Sequence, residues 1–66
     1  MESITPATVT AKMRELGIKQ KDMEHDLGIN HSSISLWLTG TRAMTKPVQA
    51  MFYYYLRYKE HERAGI

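Results

Sequence analysis

Three sets of side chains are of types that carry chemistry. Asp22, Glu24 and Asp26 place three carboxylates within five residues, His25 and His31 offer two imidazoles, and Ser32, Ser33 and Ser35 offer hydroxyls beside the second of these. Carboxylates this close can work as an acid–base pair, but such a pair needs a concave pocket, and 66 residues leave little room for one. Two histidines can begin a metal site, but zinc takes three or four protein ligands. His25 and His31 fall on either side of a turn with no further ligand evident. Cysteine is absent, which removes disulfides, thiolate metal sites and cysteine nucleophiles. The reading is of a protein that is not an enzyme and uses no metal, cofactor or small-molecule substrate. The three acids are expected to form a solvated helix face. The two histidines are expected to be solvated or part of a binding surface.

The distribution of charge suggests what such a surface would bind. Acids occur at Glu2, Glu15, Asp22, Glu24 and Asp26, and again at Glu60 and Glu62. From Leu27 to Lys59 there is none, while Arg42, Lys46, Arg57 and Lys59 are basic. A polyanion approaching this stretch would meet no fixed like charge. The length suits a single domain, one that buries only about 60% of its unfolded surface. With 42% hydrophobic and 24% charged residues, the composition is that of a folded globule rather than a disordered chain. No apolar run approaches the roughly 18 residues of a membrane span. Met1-Glu2-Ser3-Ile4-Thr5 lacks the basic and apolar regions of a secretion signal. The expectation is a soluble, cytoplasmic protein, bacterial or from a phage-infected cell.

The elements that must position these residues read as helices, four with a possible short fifth piece, and no segment shows the period-two alternation of a strand. Thr5 is a good N-cap and Pro6 suits the first helical position. Val9, Met13 and Leu16 then make one apolar stripe, ended by Gly17. The second helix runs from Lys19 or Gln20 to Leu27, with Met23 and Leu27 on one side and Gly28 at its end. Asn30 caps the third, whose stripe is Ile34, Trp37 and Leu38, and Gly40 closes it. Thr41-Arg42-Ala43-Met44 forms a loop. The last helix begins near Thr45, has Pro47 in its first turn, and turns Val48, Met51, Phe52 and Tyr55 inward. It is expected to fray over residues 59–63, with Ala64-Gly65-Ile66 disordered, so the folded core would span about 4–58.

Only Gly28, Ile29 and Asn30 separate the two middle helices, a turn that forces a sharp angle between them, as in a helix-turn-helix. With Ile34, Trp37 and Leu38 inward, Ser32, Ser35, Leu36 and Thr39 face away from the core, and His31 projects from the helix start. This face is small, polar and uncharged, with one apolar member. Its hydroxyls can donate or accept in a DNA groove, and Leu36 can lie against a thymine methyl.

The stretch from Leu16 to Gly40 resembles the lambda-repressor/Cro-like helix-turn-helix of the XRE family. The resemblance is carried by Gln20, Met23, Leu27, Gly28, Ile29, Ile34, Trp37 and Gly40. With the flanking helices it covers roughly residues 4–58. It implies an all-α, four- to five-helix domain that binds double-stranded DNA, with its third helix in the major groove. His31, Ser32, Ser35 and Leu36 would face bases. Lys19, Gln20, Ser33, Thr39, Thr41 and Arg42 would lie along the backbone, with Gln20 on a phosphate. Trp37, Ile34 and Met23 would be core. Two positions depart from the pattern. Glu24 stands where the family usually has alanine, so its side chain must turn outward or find a partner. Lys19 stands where a small N-cap is usual, and its cation would instead reach a phosphate.

Phe52-Tyr53-Tyr54-Tyr55 is the other unusual feature. Tyr53 is expected to project outward, and Tyr54 and Tyr58, four apart, to form an apolar flank with polar tips. Exposed aromatics of this kind suit an interface, here between two copies of the chain. The resulting expectation is a small dimeric repressor, Cro-like, of phage or mobile-element type, reading a palindromic operator. The competing expectation is an antitoxin-type or adaptor module that uses the same helices to bind protein without sequence-specific DNA recognition.

Overall fold

A computed structural model describes residues 4–64. The described chain is all-α, with four helices in the order α1 (Pro6–Leu16), α2 (Gln20–Leu27), α3 (His31–Leu38) and α4 (Lys46–Ala64), and no strand among the described residues. Among the described residues no helix is long and apolar enough to cross a membrane.

Local chemistry sets most of the helix ends. The Thr5 hydroxyl accepts from the Thr8 amide at 3.2 Å, and the Thr8 hydroxyl accepts from the Thr5 amide at 2.8 Å, a reciprocal cap over Pro6. At the start of α2 only half of such a cap forms. Lys19 has no acceptor to offer, but its amide donates to Asp22 Oδ2 at 3.0 Å. Asn30 Oδ1 accepts from the Ser33 amide at 2.8 Å and starts α3. Gly17 and Gly28, at φ 71° and 66°, let the chain reverse directly after α1 and α2, where a Cβ would be strained.

The core is a single cluster of Val9, Met13, Met23, Ile34, Phe52, Tyr55 and Leu56, drawn from all four helices. Phe52, Met23, Ile34 and Val9 are fully buried. Trp37 is half-buried and meets the Phe52 ring edge-on at 6.0 Å, closing the α3 side of the core. Leu38, Val48 and Met51 pack against the same cluster.

Two expectations about α4 are corrected. It does not fray over 59–63, because that segment is tied to α1 and α2. Lys59 lies 3.2 Å from Asp26, Lys12 pairs with Glu60 at 2.5 Å, and Arg63 Nη1 donates to the Glu15 carbonyl at 2.7 Å. Helix continues through Ala64, and the expected disorder of Gly65 and Ile66 lies outside the described residues. Tyr53 does not project outward. It is half-buried in a groove with Ile4, Thr8 and Leu56, its ring 5.2 Å from Tyr54 and 6.0 Å below the Arg57 guanidinium.

Candidate nucleic-acid interface

Every candidate interface residue except the tyrosines lies on or beside α3, in a cluster at each end and a stripe between them. Eight residues of helix separate those ends by about 12 Å. At the N-terminal end, His31 sits where α3 leaves its cap, with its side chain 70% exposed. Its Nδ1 is 2.8 Å from Glu24 Oε2 and 3.1 Å from Gln20 Nε2, and the same Gln20 nitrogen donates to the His31 carbonyl at 3.5 Å. Gln20 and Glu24 are one helical turn apart on α2, so both reach the first turn of α3 across the Gly28–Asn30 connection. Lys19, just ahead of them, is exposed.

At the C-terminal end the chain folds back over the last turn of α3. The Arg42 amide donates to the Leu36 carbonyl at 3.0 Å, and the Thr39 hydroxyl donates to the same carbonyl at 3.3 Å. Thr39 and Thr41 share a hydroxyl–hydroxyl bond of 3.0 Å. These contacts hold Thr39, Thr41 and Arg42 together, all three exposed.

Between the two ends, Ser32, Ser35, Leu36 and Thr39 follow at spacings that keep them on one side of the helix. Ser32 is exposed, while Ser35 and Leu36 are half-buried. Trp37 and Leu38 pack against the core cluster, and Leu36 is not among the residues that do. It is the large apolar side chain that α3 turns away from the core. Ser33 is half-buried, its amide on Asn30.

One reading of the acids is corrected. The three carboxylates of α2 lie at the surface, Asp22 and Asp26 exposed and Glu24 half-buried, and each has a partner: Asp22 the Lys19 amide, Glu24 His31, and Asp26 the Tyr55 hydroxyl at 2.8 Å and Lys59. The α3 surface, however, is not free of fixed negative charge. The acid-free run from Leu27 to Lys59 is a property of the chain, and folding brings Glu24 against its first helical residue.

Asp26 is the residue that sequence reasoning missed most completely. The Tyr55 hydroxyl, then the Lys59 ammonium, hold its carboxyl below the usual carboxylate range. In return, burial and the Asp26 hydrogen bond push the Tyr55 hydroxyl well above the usual phenol range. This bridge closes α4 onto α2 behind the candidate surface. The signal for it was present in the i, i+4 spacing of Tyr55 and Lys59, which puts both on one side of α4.

Among the described residues no group of three or more His, Cys, Asp or Glu side chains is arranged to hold a metal ion. Tyr54 and Tyr58 are 67% and 62% exposed, the large hydrophobic residues that the fold leaves most open, and they stand on α4 rather than on α3. No family model, curated protein or solved structure matches this chain.

Proposed function

We propose that this chain is a sequence-specific, double-stranded DNA-binding repressor, Cro-like, of the kind that phages and mobile elements carry. The observation that carries the reading is the outward face of α3. It is a stripe of small hydroxyl side chains and one apolar residue between two clusters that can meet the phosphate backbone. A helix that merely faced solvent would hold lysines and glutamates there, and this stripe has neither.

In this reading α3 lies in the major groove, with His31, Ser32, Ser35 and Leu36 toward base edges. Gln20 and Lys19 flank one phosphate strand, and Thr39, Thr41 and Arg42 the other, with Ser33 beside the backbone. Tyr54 and Tyr58 join two copies so that their recognition helices stand about 34 Å apart on a palindrome. Repression follows where the operator overlaps a promoter.

Selection of binding sites from random duplex DNA tests this in one measurement. The expected product is a palindrome whose affinity falls steeply with salt, as counterions are released on binding. Arg42→Ala weakens binding to all sequences about equally and lowers the log–log salt slope by about one. Sedimentation that finds a monomer both free and on the operator removes the dimer from the reading. The exposure of Tyr54 and Tyr58 also supports a protein-binding module without DNA recognition. That reading replaces the first if no duplex is enriched even at low salt.

A further inference from the structure

His31 has one ring nitrogen turned inward and one free to face a partner. Nδ1 meets Glu24 at 2.8 Å and Gln20 at 3.1 Å. Nε2 makes no hydrogen bond to the described residues. Glu24 from α2 is the charged group in contact with the ring, and among the described residues no titratable side chain of α1, α3 or α4 pairs with it.

The distances decide which nitrogen carries hydrogen. A carboxylate oxygen has only lone pairs to offer, so at 2.8 Å it repels a bare ring nitrogen and accepts from a protonated one. Nδ1 is therefore the protonated nitrogen of the neutral ring. Gln20 cannot then donate to Nδ1, since two donors would face each other. Its NH2 is directed instead to the His31 carbonyl, 3.5 Å away. The neutral ring thus presents Nε2 outward as an acceptor. A second proton converts Nε2 into a donor and makes the ring a cation, which Glu24 stabilises at Nδ1.

We propose that Glu24 is a positioning residue that makes His31 a proton-dependent base reader. The neutral ring accepts from the amino group of adenine or cytosine, and the protonated ring donates to guanine, whose major-groove edge presents only acceptors. This rests on the DNA-binding reading above and adds to it one base position whose identity depends on pH.

Two measurements test it together. Nitrogen-15 NMR of the free protein above the histidine titration range reports the tautomer directly. The expected result is hydrogen on Nδ1 in the native chain and a shift toward hydrogen on Nε2 in Glu24→Ala. Site selection is then run at pH about 8 and about 5.5, on either side of the usual histidine range. One position in each half-site is expected to change from adenine or cytosine to guanine, with a swing in relative affinity of about tenfold. Glu24→Ala loses the swing. Glu24→Gln, which keeps an acceptor for Nδ1–H without the charge, keeps the neutral-ring preference.

Hydrogen on Nε2 in the native protein overturns the proposal. So does a selected base that is the same at both pH values, or a swing that survives in Glu24→Ala. Acid tightening that is equal on every duplex also overturns it, and assigns His31 to a phosphate. If no duplex is enriched at either pH, the DNA-binding reading fails and the base reader with it. An operator bound with an unchanging base defeats the base reader alone.

Discussion

Glu24 and Asp26 stand two residues apart on α2, about 200° around the helix, and tie it in two directions. Glu24 reaches seven residues along the chain to His31, an exposed side chain at the start of α3. Asp26 reaches 29 residues to Tyr55 and on to Lys59, two groups whose protonation is held fixed across the physiological range. The Asp26 tie closes the fold, because it joins helices whose buried faces meet in the core. The Glu24 tie shapes a surface, because both its partners stand at the edge of the candidate interface. Two acids of one helix turn thus serve separate purposes according to whether the partner stands at the surface or against the core.

Mutations can break or sharpen this contrast. The largest effect is expected from Phe52→Ala, which removes the largest of the fully buried core side chains. It costs about 3–5 kcal/mol. A domain this small has little more than that in total, so the variant is expected to be mostly unfolded by circular dichroism at room temperature.

Tyr55→Phe tests the Asp26 side alone. It removes one partly buried hydrogen bond to a charged group and lowers stability by about 1 kcal/mol in urea unfolding. DNA affinity of the folded protein is expected to be unchanged. An affinity loss beyond what the stability change explains would show that the two ties are not separate.

The pH dependence of folding follows from the same bridge. Asp26 is held below its ordinary range by Tyr55 and Lys59, and Glu60 by Lys12. A carboxyl depressed in the folded state contributes stability above its unfolded pKa, and that contribution is lost as pH falls through the folded value. The melting temperature is therefore expected to drop with acid below the usual carboxylate range. Asp26→Asn keeps an acceptor for Tyr55 but no charge for Lys59, and it should flatten part of that drop. An equally steep drop in the variant would assign acid sensitivity to other groups.

The smallest effect on stability is expected from Glu24→Ala. A pair with an exposed imidazole contributes little, so the melt should move by no more than about 0.5 kcal/mol while the selected DNA sequence changes. A large loss of stability would make Glu24 a second structural anchor and erase the contrast.

Residues that act on their immediate neighbours were the most legible in the sequence. Thr5 and Pro6, Asn30, Gly17 and Gly28 mark helix ends where the structure has them, because a cap and its amide lie within a few residues of each other. The inward set Val9, Met13, Met23, Ile34, Phe52 and Tyr55 was legible from helical spacing, while Leu56 escaped notice beside it. The end of α4 was misread because its partners Lys12, Glu15 and Asp26 lie 33 to 48 residues away, and composition alone suggests a polar tail. Tyr53 was misread because the groove it fills needs Ile4 from the far end of the chain. Glu24 was legible as a departure from a resembling pattern but not as a neighbour of His31, since charge counted along the chain does not register what a turn brings together.

The ties between α1 and α4 have a further consequence. Lys12 with Glu60, and Glu15 with Arg63, are both separated by 48 residues. Equal offsets mean that the two helices run side by side in the same direction. Their macrodipoles therefore add rather than cancel, and two partially negative ends stand together at one pole of the molecule. Arg63, in the last turn of α4, donates to a carbonyl that the last turn of α1 leaves without an intrahelical partner. One guanidinium thus serves the ends of both helices, and a chain shortened before Arg63 would lose the side chain that ties those two like poles together.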